Sequence, residues 1–482
     1  MPQFQAVRFL VVLLLAAFPG LALAVERPPN VVVFLVDDLG YTDLGCFGST
    51  FYETPHVDRL AESGMRFTSA YSACPVCSPT RASMLTGRYP QRSDVTNFIG
   101  GRRANQPENW NRNTRLLPAP YTDRLAHEEF TLAEALQKAG YKSFFAGKWH
   151  LGPRGFWPED QGFDVNKGGN GWGTPRSYFS PYGNPRLADG PEGEHLPQRL
   201  AEETCEFIAA HADRPFLAYL SFYSVHIPLV APRELVEKYE AKAAGLKSNR
   251  AAWGQERGSK VRLVHSHPTY AAMIESMDSA VGMVLDELDR LNLSETTVVL
   301  FTSDNGGVAT SEGHPTANMP LRAGKGWLYE GGIRVPTIAR WPGVAQQGSE
   351  CSSPIISNDY FPTLMEIANG ENAPRSGTEL DGQSIVPLLR GESMERGPLY
   401  WDYPHYGNQG GAPASAIRDG RWKLIRWFED DGVELYDLEA DVAEKNNVAK
   451  EHPQIAAKLL RSLNEWREFV GAKPPTPNPN YQ

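Results

Sequence analysis

Short runs of consecutive apolar residues alternate along the chain with segments whose apolar residues return every three or four positions. The runs are Val31–Val36, a weaker one at Phe144 and Phe145, Phe216–Tyr223, Thr297–Thr302 and Val335–Trp341. Unbroken apolar runs of this length read as strands buried on both faces. Helical patterns lie between them at Pro55–Ser63, Thr131–Ala139, Ala201–Ala210 and Tyr270–Leu291. In the last, Met273, Met277, Val281, Val284, Leu285 and Leu288 fall on one face. The alternation predicts an α/β fold around a mixed, mostly parallel central sheet sandwiched by helices. From about Pro398 the pattern changes: Leu399–Tyr403, Ser415–Arg418, Trp422–Trp427 and Val433–Asp437 read as short strands, and Ile455–Val470 as one amphipathic helix. This predicts a main domain over residues 25–397 and a small α+β subdomain, an antiparallel sheet with a helix, over 398–482. The Pro-rich tail after Lys473 is expected to be poorly ordered. Three stretches, 97–128, 168–197 and 228–268, fit no element of the sheet. Rich in Gly, Pro, Asn, Trp and Arg, they are read as functional loops around a pocket.

Composition adds boundaries. At 482 residues the chain is too long for one ordinary core. Its formal net charge of −10 excludes a phosphate-backbone binder, which needs a basic excess, so no nucleic acid partner is expected. Residues 1–24 read as a signal peptide: Arg8, the apolar stretch Phe9–Phe18, and Ala22-Leu23-Ala24 before the cleavage point. The expected location is periplasmic or secreted. The apolar stretch is short for a membrane span and no second one follows, so no stable membrane insertion is expected. The cysteines are Cys46, Cys74, Cys77, Cys205 and Cys351. An odd number in an exported chain points to a thiol with a task other than pairing; spacing alone does not give the pairing of the others. Cys74-Pro75-Val76-Cys77 lacks the second ligand pair of a zinc site and the small βαβ setting of a redox motif.

Polar groups stand where the apolar runs end. Asp37-Asp38 follows the first, Asp304-Asn305 the fourth, and His226 lies just past the third. In such sheets the ligand crevice lies beyond the carboxyl ends of the strands. Either pair alone is a common strand-end cap; three carboxylates and one amide oxygen together make a hard-oxygen site for calcium or magnesium. Cys77-Ser78-Pro79-Thr80-Arg81 reads as a helix start, with Pro79 in the first turn. Cys77 then sits at a helix N-terminus, which favours an anion, with Arg81 one turn on.

This segment resembles the Cys-x-Pro-x-Arg signature of the type I sulfatases, a family of the alkaline phosphatase superfamily. Gly140-Tyr141-Lys142-Ser143 with Gly147-Lys148-Trp149-His150 is similar to the family's second signature. Asp37-Asp38, Asp304-Asn305, Gly324-Lys325-Gly326 and Tyr329–Gly332 match in the family's order. The likeness covers the mature chain and implies an alkaline-phosphatase-like fold that hydrolyses sulfate esters. It implies that a maturation enzyme converts Cys77 to formylglycine, whose hydrate attacks sulfur with one hydroxyl while the other lets the sulfated intermediate collapse. A calcium ion on Asp37, Asp38, Cys77, Asp304 and Asn305 is implied too. Arg81 and Lys148 then supply fixed positive charge, His150 acts as a base, and His226 and Lys325 bind sulfate and protonate the leaving group. Sulfated saccharides are the implied substrates, with 4- or 6-sulfated galactose or N-acetylgalactosamine in view. His314, Asn318, Arg102, Arg103 and His405, with Tyr406, are candidates for the saccharide pocket. A phosphonate monoester or phosphodiester hydrolase of the same superfamily is the nearest alternative; a non-catalytic glycan binder would have no use for the nucleophile.

Overall fold

The central strand Asn30–Val36 is wholly buried, and its alternate residues feed two different cores. Val32, Phe34 and Val36 pack with the helices Pro55–Ser63, Leu196–Ala210 and Pro268–Arg290. Val31, Val33 and Leu35 pack with Cys77–Thr86, Leu132–Lys138 and Tyr360–Asn369. The period-two pleat thus makes one strand serve both layers. The computed structural model describes residues 27–100, 104–247, 251–369 and 379–482. The signal-peptide reading of residues 1–24, and Arg102 and Arg103, fall outside them.

The main sheet has eight strands. Their order is Ser349–Cys351, Met65–Phe67, Thr337–Arg340, Thr297–Ser303, Asn30–Val36, Phe216–Ser221, Lys142–Gly147 and Val165–Lys167. Thr337–Arg340 runs antiparallel to both neighbours, and every other pairing is parallel. Because Asn30–Val36 pairs in parallel register with Thr297–Ser303 and Phe216–Ser221, the residues that follow these strands emerge at one edge. Asp37-Asp38, Asp304-Asn305 and the His226 turn are such residues.

The second sheet is antiparallel, Leu399–Tyr403, Ala414–Asp419, Trp422–Trp427 and Val433–Asp437 in chain order. It packs with the helix Pro453–Phe469 through Leu459, Leu463 and Trp466, and against Tyr71, Val76, Trp327 and Tyr329 of the larger part. Buried Lys423 ties the two parts together, bonding Glu330 at 2.9 Å and Glu444 at 2.8 Å. All five cysteines are free thiols, and no described helix is long and apolar enough to cross a membrane.

Two expectations are corrected. The stretch 228–268 is not all loop: it carries the helix Arg233–Ala244 and the hairpin Trp253–Glu256 with Ser259–Arg262. That helix buries only Tyr239 and is otherwise surface, so it leaves no apolar stripe in the sequence. The tail is also ordered, because Thr476-Pro477 pairs with Leu116-Leu117 and Asn478 donates from its backbone to Arg115.

Candidate active site

Cys77 opens the helix Cys77–Thr86, all ten residues of which are buried. No side chain caps the first turn, so its free N–H groups and positive dipole end face the crevice. Gly147 ends the strand Lys142–Gly147 at φ +96°, and a Cβ there would lie 1.9 Å from the Ser221 carbonyl oxygen. Only glycine permits this turn, which brings Lys148 and His150 to the same edge. Gly173 leaves room for His150, since a Cβ there would meet the imidazole at 2.7 Å.

His150 is held on both sides. Its Nε2 lies 2.8 Å from the Ile99 carbonyl oxygen, which can only accept. The proton is therefore on Nε2, and the Nδ1 lone pair faces Cys77 Sγ at 3.3 Å. Burial, aided by Lys148, holds its pKa well below the usual imidazole range. Ser78 Oγ donates to the His150 carbonyl and accepts from Ile99 N–H, tying the helix start to this frame.

Three buried carboxylates are matched by three buried cations. Lys148 Nζ lies 2.5 Å from Asp37 Oδ2, and Lys325 Nζ 2.7 and 2.8 Å from the Asp38 oxygens. Arg81 places Nε and Nη2 at 2.8 and 2.7 Å from Asp304 Oδ2. Burial pushes Asp38 up, but Lys325, His226 and Lys148 outweigh it and hold this carboxyl well below the ordinary range. Asp37 is instead pushed up, since burial with the Asp304 and Asp38 charges outweighs Lys148. Burial, opposed by Lys148 and Lys325, raises the Cys77 thiol.

Asp37 Oδ1 and Asn305 Oδ1 are buried and accept no hydrogen bond among the described residues. Both are oxygens at the strand edge where Asn305 Nδ2 donates to Asp38 Oδ1 and Asp38 N–H to Asp304 Oδ1. Orphaned buried acceptors among clustered carboxylates fit a hard divalent cation. Asp37, Asp38 and His226 also have ligand atoms within 4.8 Å of one another. His226 thus stands nearer the metal donors than its sequence reading implied. Its Nδ1 lies 3.1 Å from the Ile227 carbonyl oxygen and its Nε2 3.6 Å from Asp38 Oδ2.

Cys77, His150, His226 and Lys325 line one cavity of about 260 Å³. A family model for sulfatases matches residues 29–370, and one for the C-terminal part of N-sulphoglucosamine sulphohydrolase matches 323–468. The chain belongs to the sulfatase family. It is therefore a sulfuric ester hydrolase, and the expected fold and activity hold. The sulfatase is 31% identical to a sulfatase of Formosa agariphila over 92% of its own length and 89% of that protein's. It is 32% identical to N-acetylgalactosamine-6-sulfatase of Mus musculus, over 91% of its own chain and 79% of the relative. Among solved structures, Ps i-CgsB in complex with k-i-k-neocarrahexaose superposes with a TM-score of 0.73 at 27% identity, covering 91% of the sulfatase and 93% of that chain.

The remaining sequence candidates lie elsewhere. His405 is fully buried, its Nε2 3.0 Å from Thr96 Oγ1, and Tyr406 donates to Glu429. Asn318 clamps a loop by donating to the Gly307 and Ala323 carbonyls, and faces a separate cavity beside Arg262 and Arg322. His314 packs edge-on to Trp253. The cavity wall instead takes Phe98, Ile99, Thr174, Glu312, Asn408 and Gln409. The sequence reading missed these residues, because no spacing links them.

Proposed function

We propose that this sulfatase removes sulfate from O-sulfated carbohydrates, using an oxygen nucleophile made from Cys77 and a calcium ion, after export to the periplasm or beyond the cell. The observation that carries the reading is the convergence of Cys77, His150, His226 and Lys325 on one cavity at the carboxyl edge of the sheet. The carbohydrate class is supported by the relative named N-acetylgalactosamine-6-sulfatase and by the neocarrahexaose complex of Ps i-CgsB. We take 4- or 6-sulfated galactose or N-acetylgalactosamine as first substrates.

Formylglycine at position 77 supplies an oxygen nucleophile, and a calcium ion on Asp37, Asp38, Asp304 and Asn305 supplies Lewis acidity toward it and toward sulfate. The chain's own groups do the rest. Arg81 and Lys148 hold Asp304 and Asp37 in place through buried ion pairs. His150 Nδ1 takes the proton from the group at position 77. Lys325 and His226 bind sulfate oxygens and return a proton to the leaving oxygen. The sulfur–oxygen bond to the alcohol would break as sulfur passes to the oxygen at position 77, and one water consumed on release from that position would balance the products, a free alcohol and inorganic sulfate.

The test is sulfate release from defined monosulfated saccharides, measured beside 4-nitrophenyl sulfate and a phenyl phosphonate. Sulfate released from a galactose or N-acetylgalactosamine sulfate is expected. Turnover of the phosphonate well above every sulfate would overturn the reading.

A further inference from the structure

The cavity wall holds one group that recognises no anion. Glu312 sits on left-handed backbone, φ +52°, in the loop after Thr297–Ser303. Its Oε1 accepts from Asn408 Nδ2 at 2.7 Å and Gln409 Nε2 at 2.9 Å, which uses both lone pairs of that oxygen. Gln409 is fixed in turn, because its carbonyl accepts from Thr310 Oγ1 at 2.8 Å and Trp327 Nε1 at 2.9 Å. Glu312 Oε2 is buried and accepts nothing among the described residues. Lys325 feels the charge of Glu312, but its ammonium is bonded to both oxygens of Asp38. A carboxylate braced on one oxygen and without a donor on the other, in a residue that lines the substrate cavity, keeps an acceptor for a donor from the ligand.

At about 260 Å³ the cavity is smaller than the ~300–1,000 Å³ of sites for drug-sized ligands. It has room for a sulfate and the ring that carries it. Phe98 and Ile99 supply an apolar wall, and two buried acceptors of lining residues have no donor among the described residues, Gln409 Oε1 and Glu312 Oε2, of which only the second belongs to a carboxylate.

We propose that Glu312 is a specificity-determining residue: Oε2 accepts a hydrogen bond from a hydroxyl of the ring bearing the scissile sulfate, and its charge rejects a second anionic substituent at that place. The hydroxyl part rests on the carbohydrate reading above; the charge part does not. Glu312→Gln keeps an acceptor and removes the charge, and Glu312→Ala removes both.

The experiment measures kcat and KM of both variants and the parent on a monosulfated sugar and on the same sugar carrying a second sulfate or a carboxylate. Rates are normalised to the aldehyde content at position 77, and thermal melting of each variant confirms folding. Glu312→Gln is expected to reduce the preference for the monosulfated sugar by about tenfold or more. Glu312→Ala is expected to raise KM for that sugar about tenfold, with a smaller change in kcat, the size of one lost charge-assisted hydrogen bond. Preference and KM within twofold of the parent in both folded variants overturn the proposal. If the parent cleaves 4-nitrophenyl sulfate and no sugar sulfate, the carbohydrate reading and the hydroxyl contact fail together. The charge part is then decided on 4-nitrophenyl sulfate against a carboxylate-bearing phenyl sulfate: an unchanged ratio in Glu312→Gln overturns it, and a tenfold gain for the anionic ester upholds it.

Discussion

Arg81→Ala tests the cation frame most directly. Arg81 is 2% exposed, and every contact of its guanidinium is internal. Two nitrogens hold Asp304 Oδ2; Nη1 donates to the Lys148 carbonyl and to Ser221 Oγ at 2.7 Å each; Nη2 lies 3.8 Å from Asp37 Oδ1. Truncation leaves Asp304 buried with one backbone donor, Asp38 N–H at 3.2 Å. Stripping one partner from a buried ion pair costs about 3–5 kcal/mol. A cation on Asp304 offsets part of that, so the fall in melting temperature should be largest in chelator and smaller in calcium. Loss of one preorganised charge at a reacting centre should lower kcat by roughly 10²–10³. Arg81→Lys should fall between, because an ammonium keeps the charge but not the two-nitrogen grip on Asp304. The assay is 4-nitrophenyl sulfate turnover per mole of aldehyde at position 77, beside melting curves with and without calcium. Less than a tenfold loss in kcat with unchanged melting would refute the reasoning, because the guanidinium would then be neither load on the fold nor charge for the reaction.

Peptide mass spectrometry of active enzyme should find an aldehyde at 77 and none at 74. Cys77→Ala should abolish turnover and Cys74→Ala retain most of it; equal losses would mean the two thiols act together. Chelation should silence the enzyme and calcium restore it, with zinc a poor substitute for an oxygen donor set; activity surviving in metal-free protein would remove the cation from the site. Glu444 gives a pH prediction: burial, opposed by Lys423 and aided by Glu330, raises its pKa from 4.5 to about 7. The folded protein holds this proton where the unfolded chain has lost it, so the contribution to stability is full below about pH 4.5 and gone as pH rises through 7. Glu444→Gln should flatten that decline in melting temperature between pH 5 and 8, and a parent-like slope would contradict it.

The fold was legible where burial is two-sided. Asn30–Val36, Phe216–Ser221 and Thr297–Ser303 are buried throughout and mostly apolar because helices cover both faces, and the acids that follow the first and last stand out for that reason. Legibility failed where an element is held by few contacts or distant ones. Arg233–Ala244 presents one buried residue to the core, and the tail is ordered by pairing with Leu116-Leu117 far away in the chain. The same cause hid part of the cavity. Glu312 and Asn408 are 96 positions apart and meet through one hydrogen bond, with no period or spacing to announce it. His405, named as a pocket candidate, is instead buried between Tyr121 and Tyr403.

The charges of the site explain why that hidden residue matters. Each buried carboxylate has its own cation, Asp37 with Lys148, Asp38 with Lys325 and Asp304 with Arg81. Such pairing offsets the burial of these acids unequally: it holds the Asp38 carboxyl low, while burial still keeps that of Asp37 raised. The protein frame is thus close to neutral by itself. A divalent cation added to it leaves two positive charges, which match one from a sulfate monoester and one from an ionised oxygen at position 77. With a cation held there, the site would attract its anions through the metal rather than through surplus lysine or arginine, in keeping with an acidic chain. Glu312 stands outside this pairing, with one oxygen braced by amides and the other bare. A second anion on the substrate would meet the Glu312 carboxylate there, with Lys325 bonded to Asp38, so in the proposed reading a metal-centred charge would select the sulfate while Glu312 selects a neutral, hydroxyl-bearing neighbour.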